Sequence, residues 1–218
     1  MNKINLMLLC CALLFTGMLT ASFQDVEIPK AQLPILTTSA GQSPDVMTIN
    51  IVCEEAGIMY DYCDVVNVEL INMGVGLAGD EERPGFHMEV HTDLEKYSKG
   101  TPYKTVIIAI GATLKGMGAS GLTVDDEVDR VKKIIDYCKK NSIFIIGAHV
   151  GGSSKRGAPG GDNERMIDAV APFVDYLIVT DDGNKDGRFN KIAEEKNIPL
   201  TRIEYALELV DILKNVFE

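Results

Sequence analysis

The sequence predicts a three-layer α/β sandwich on a doubly wound, mainly parallel sheet of flavodoxin-like arrangement. Three observations predict it. Short runs rich in Val, Ile and Leu recur from Pro34 onward, helical patterns separate them, and polar, often glycine-rich turns follow several of them. Apolar runs of this kind suit strands buried on both faces. Their alternation with helices suits βα units joined by right-handed crossovers.

Taken in order, the strand candidates are Pro34–Thr38, Val65–Ile71, Thr105–Ile110, Ile143–Gly147, Tyr176–Thr180 and a weaker Leu200–Tyr205. The first helix is expected over Pro44–Ala56, with Ser43 as N-cap, Pro44 at the first position and Gly57 just past the end. Its stripe is Val46, Ile49, Val52, Cys53 and Ala56. The strongest helix is Val124–Lys140: Thr123 caps it, three acids open it, and Lys139 and Lys140 close it against the dipole. Val124, Val128, Val131, Ile134, Ile135 and Cys138 form its apolar face. Shorter helices are expected over Asn163–Phe173, Gly187–Lys196 and Ala206–Phe217. The segment Asn72–Tyr103 is long, glycine-rich at first and weakly helical around Met88–Tyr97, and reads as an elaborated surface crossover.

Residues 1–22 have the layout of a secretory signal, with basic Lys3, an apolar stretch from Leu6 to Leu19, and small Thr20, Ala21 and Ser22. Cleavage is expected after Ser22, because Thr16 and Gly17 interrupt a stretch already shorter than the roughly 18 apolar residues of a membrane span. The processed chain then has an exposed leader over 23–33, one α/β domain over 34–218, no stable membrane span, and an extracytoplasmic place, periplasmic or secreted. The formal charge of −11 argues against nucleic acid as a partner. Cys10 and Cys11 leave with the signal. Cys53, Cys63 and Cys138 remain, too few for a disulfide framework, with Cys53 and Cys138 on helix stripes and Cys63 in a loop.

Ligands of open parallel sheets bind beyond the carboxyl ends of the strands, so the loops there carry the functional reading. They are Ser39–Ser43 (SAGQS), Gly111–Gly121 (GATLKGMGASG), Gly147–Gly161 (GAHVGGSSKRGAPGG) and Asp181–Gly187 (DDGNKDG). Ser39, Gln42 and Ser43 stand beside the amides that open the Pro44 helix, a setting that favours a carboxylate or phosphate. Lys115, Lys155 and Arg156 place positive charge in flexible loops of an acidic chain.

Motifs with a fixed chemistry fail on context. Gly74–Gly79 and Gly116–Gly121 match G-x-G-x-x-G, but the first runs into DEERP rather than a helix and the second lies well past its strand. No P-loop or G-x-S-x-G elbow occurs. His87 and His91, four apart, would share a helix face, and His149 would be a third zinc ligand, but the order H-M-E-V-H is not that of a metalloprotease. Asp182–Gly187 opens like a calcium loop with Phe189 at its apolar position, yet Ala193 stands where the bidentate glutamate belongs. No metal and no cofactor is therefore assigned.

The stretches TSAGQSPD, the lysine-containing IGA-type glycine loop, GAHVGGSSKRG and GNKDG resemble an uncharacterised exported prokaryotic family of unknown function. The resemblance covers most of the chain after Pro34. It implies the α/β fold and a site built from these loops, and it transfers no activity. Asn72 to about Met88 looks like an addition to that pattern.

These readings lead to an exported domain that holds a small polar or anionic molecule at the carboxyl edge of the sheet. The ligand-binding set is Ser39, Gln42, Ser43, Lys115, His149, Arg156, Asp181, Asn184, Lys185 and Asp186, and its basic members are expected to converge on one pocket. An extracytoplasmic hydrolase or transferase using His149 with Asp181 or Asp182 is the alternative. No activated nucleophile marks it, so no catalytic residue is assigned.

Overall fold

The computed structural model describes residues 27–77 and 87–218; the signal expected over 1–22, the end of GVGLAG and its DEERP continuation lie outside them. In chain order the elements are β1 (Ile35–Ala40), α1 (Asp45–Glu55), β2 (Tyr60–Cys63), α2 (Val68–Met73), β3 (Met88–Val90), β4 (Thr105–Ile110) and α3 (Leu114–Ala119). There follow α4 (Val124–Lys140), β5 (Phe144–His149), α5 (Asp162–Val170), β6 (Tyr176–Thr180), α6 (Arg188–Lys196), β7 (Leu200–Ile203) and α7 (Leu209–Phe217). Among the described residues one seven-stranded sheet forms, in the order β3-β2-β1-β4-β5-β6-β7. All neighbours pair in parallel except β2 and β3. Without β3 the parallel strands run 2-1-3-4-5 from the edge, plus one more, which is the flavodoxin-like order.

Alternation along each strand divides the core. Ile35, Ile107, Ile146 and Tyr176 face α1 and α7, where they meet Ile49, Cys53, Leu209 and Leu213. Leu36, Val106, Ile108, Ile145 and Leu177 face the other way, against Leu70 of α2, Val131 and Ile134 of α4, Ile167 of α5 and Phe189 of α6. Helices change faces because strand order reverses between β1 and β4 while every parallel crossover keeps its right hand.

Three expectations are corrected. The second strand is Tyr60–Cys63 rather than Val65–Ile71; Asn67 accepts from the Leu70 amide at 2.9 Å and starts α2 within the apolar run. The YDYC strand escapes notice because it carries a fully buried carboxylate, Asp61. That carboxylate accepts from Gly76 N at 2.7 Å, Thr92 N at 3.2 Å and Tyr103 Oη at 2.5 Å. The supposed surface crossover is thereby tied to the sheet, and Val75, Leu77 and Tyr103 are buried. Met88–Val90 is an antiparallel edge strand, not a helix turn, so His87 and His91 bracket it and both bond Glu89, at 2.6 and 2.8 Å. The leader, finally, is not merely exposed: Ala31 N donates to Val216 O at 2.9 Å, and Ile28 and Leu33 pack on the α1–α7 side.

Cys53, Cys63 and Cys138 are free and buried, and Cys63 lies on β2 rather than in a loop. Burial, above all, pushes each thiol up to about 12, so none is a thiolate at neutral pH. A reductant is expected to leave the melting temperature unchanged, and a thiol reagent to label only in denaturant. Fast labelling of the native protein would contradict this packing.

Candidate functional site

The turn after β1 is held in an unusual shape. Gly41 and Gln42 both have positive φ, 91° and 52°. A Cβ on Gly41 would lie 2.5 Å from Gly111 O, so the β1 and β4 turns can touch only if position 41 is glycine. Gln42 carries a side chain in that region at a conformational cost, which its hydrogen bonds offset. Its Nε2 donates to Asp64 O at 3.0 Å and to Glu127 Oε1 at 3.1 Å. Glu127 Oε1 also accepts from Gly41 N at 2.8 Å.

Glu127 is fully buried and paired with Arg130, whose Nε lies 2.7 Å from Oε2. Arg130 in turn donates to Ser39 O at 2.5 Å and Val66 O at 2.9 Å. One helix turn of α4 therefore fixes the ends of β1 and the approach to α2. Glu127 was legible only as one of three acids opening a helix. It stands three residues after Val124, on the buried stripe itself, and that register was the signal.

Between this turn and α3 lies a cavity of about 360 Å³ lined by Ser39, Gln42, Ser43, Met47, Tyr62, Asp64, Thr113 and Lys115, among others. It sits where strand order reverses, the position at which open α/β sheets take ligands. Ser39 is 1% exposed and its Oγ has no partner among the described residues. Such an orphan hydroxyl costs about 1–3 kcal/mol. Ser43 Oγ accepts from Asp45 N at 3.3 Å, a weak bond, and α1 begins at Asp45 rather than Pro44. Lys115 is exposed and has no ion-pair partner among the described residues. Burial first, and then the charge of Asp64, raises the Tyr62 phenol, which stays a donor at neutral pH.

The β5 and β6 turns form a different structure. Arg156 donates to Glu164 Oε1 at 2.8 Å, Gly183 O at 2.5 Å and both oxygens of Asp186 at 2.9 and 2.7 Å. Glu164 is buried and also pairs with Arg188. Hydrogen bonding to Arg156, chiefly, holds the Asp186 carboxyl at about 2. Asn184 is buried, accepting from Phe189 N at 3.0 Å and donating to Asn190. Asp182 accepts from Ser153 N at 2.7 Å and Lys185 Nζ at 2.5 Å, and Asp181 from Arg202 Nε at 2.6 Å. Asp181, Asn184, Lys185 and Arg202 border a second, open depression of about 770 Å³.

His149 lies at the end of β5, fully buried against Phe189, with Nε2 3.1 Å from Lys155 O and Nδ1 unpartnered. Burial, chiefly, lowers its pKa below the ordinary value. The fold therefore favours neutral imidazole, whereas the unfolded chain binds a proton near pH 6.5. Its stabilising contribution is full above about pH 6.5 and falls, by up to about 1.4 kcal/mol per unit, as pH drops toward the lowered folded value. Urea unfolding at about pH 7.5 and 5.5 is expected to show this loss in the wild type and a smaller one in His149→Gln. Equal losses in the two proteins would contradict it.

The ten residues singled out from the sequence thus do not share one pocket. Ser39, Gln42, Ser43 and Lys115 meet at the β1/β4 cavity; Asp181, Asn184 and Lys185 border the second depression; His149, Arg156 and Asp186 fasten the β5 and β6 turns beneath. From β1 to β6 the sheet spans three strand spacings, roughly 14 Å, which separates loops that leave the same edge. Tyr62 and Asp64 join the first cavity because β2 ends at Cys63, and they are missed once β2 is misplaced.

Among the described residues no group of three or more His, Cys, Asp or Glu side chains is placed to hold a metal ion, and no helix is long and apolar enough to cross a membrane. No curated protein and no solved structure matches the chain. A family model does match, over residues 32–217, nearly the whole of the described fold. The chain belongs to the family described as "Domain of unknown function (DUF6305)".

Proposed function

We propose that this chain is an exported binding domain that holds a small polar or anionic solute in the cavity between the β1 and β4 turns. The observation that carries the reading is a cavity at the reversal of strand order whose wall presents a lysine, Lys115, with no ion-pair partner among the described residues, and whose lining residue Ser39 keeps its buried hydroxyl without a partner among them. A hydroxyl left orphaned at a ligand-binding position of the fold is satisfied by a bound acceptor or donor. The enzyme reading through His149 gains less: its Nδ1 is also unpartnered among the described residues, but the imidazole lines neither depression, and Asp181 and Asp182 are taken up by Arg202, Lys185 and Ser153. Export rests on the pattern of residues 1–22.

Native mass spectrometry of the protein from its own host tests both parts. The expected species starts at Phe23 and carries a small retained molecule. Lys115→Ala is expected to fold normally and to lower affinity for that molecule about ten- to hundredfold, the effect of one charge-assisted hydrogen bond. Retention unchanged by Lys115→Ala and by Ser39→Ala would overturn the cavity as the site, and a chain still beginning at Met1 would overturn export.

A further inference from the structure

Resting on that reading, we infer that the solute is a small zwitterion, whose anionic group meets Lys115 and whose cationic group meets Asp64. The charges on the cavity wall carry the inference. Among its lining residues, Lys115 and Asp64 are the charged side chains, one of each sign. A site for a simple anion would gain from excluding the carboxylate, because an unpaired negative charge beside the anion opposes binding. The chain's charge of −11 adds to that opposition.

Asp64 is also held for this role. Its Oδ1 accepts from Val65 N at 2.7 Å and from His87 N at 2.8 Å, while Oδ2 has no hydrogen-bond partner among the described residues. One oxygen orients the carboxylate, and among the described residues the other is left to accept. Its own carbonyl accepts from Gln42, which ties the acidic wall to the Glu127 network on the opposite side. Around the two charges stand the neutral polar residues Ser39 and Tyr62 and the apolar Met47. A volume of about 360 Å³ lies at the small end of ligand sites, roughly 300–1,000 Å³, and suits a molecule of amino-acid size.

Calorimetric titration of the processed protein with five probes tests this: L-serine, phosphoethanolamine, acetate, inorganic phosphate and ethylamine. The two zwitterions are expected to bind at least about tenfold more tightly than any probe of single charge, and the better of them tells carboxylate from phosphate as the anionic group. Asp64→Asn keeps the Oδ1 acceptor for the two amides. It is expected to weaken the zwitterion about tenfold or more and to leave anion binding equal or stronger; Lys115→Met is expected to weaken both. Acetate or inorganic phosphate binding as tightly as the zwitterions, with Asp64→Asn harmless, would overturn the inference and leave the cavity as an anion site. Binding by none of the five would overturn both.

Discussion

Glu127→Ala is expected to destabilise the domain by about 3–5 kcal/mol, the cost of removing one partner from a buried ion pair. For a domain of this size that corresponds to a fall in melting temperature of about 6–20 °C. The carboxylate is fully buried and receives Gly41 N, the Gln42 amide and the Arg130 guanidinium. Its removal orphans two donors, leaves the guanidinium with part of its charge uncompensated, and releases Gln42 from its positive φ. Glu127→Gln keeps an acceptor but not the charge, so it should fall between. Denaturant unfolding decides the matter: a loss below about 1 kcal/mol for the alanine variant would show that this pair does not hold the β1 turn.

Arg156→Ala is expected to cost about 1.5–3 kcal/mol, because it removes charged hydrogen bonds to buried Glu164, which keeps Arg188, and leaves the Gly183 carbonyl without that donor. From the sequence alone, the same substitution would leave folding nearly intact and weaken a ligand. The difference lies in where the guanidinium goes. It is spent on Glu164, Asp186 and Gly183 O, and it also lies 5.6 Å from the Phe189 ring centroid. Arg156→Lys should recover little, since an ammonium cannot serve those partners at fork geometry. Melting temperature and affinity for the retained molecule, measured on the same preparation, separate the two roles. A normal melting temperature with weakened binding would return Arg156 to the ligand.

Much of the architecture was legible because it depends on local patterns. The apolar runs at β4, β5 and β6 and the capped, striped α4 appear where expected, with Thr123 and Asp126 forming the reciprocal cap. The errors have separate causes. Asp61 disguised β2, and the paired histidines around Glu89 gave an edge strand the spacing of a helix. A buried carboxylate such as Asp61 is tolerated only through partners distant in sequence, here Gly76, Thr92 and Tyr103.

For this protein the sequence by itself determined the fold class and the loops that leave the carboxyl edge of the sheet, because hydrophobic period and turn chemistry act within a few residues. Only the tertiary structure decided which loop residues are available. The same composition of serine, lysine, arginine and aspartate yields, among the described residues, an unpaired Lys115 and an orphan Ser39 hydroxyl at one turn. At another it yields Arg156 closed on Asp186 and Lys185 closed on Asp182. Whether a charge is free depends on what stands within about 4 Å of it, and for Arg156, whose partner Asp186 lies 30 residues away, that is set by strand order and spacing across the sheet.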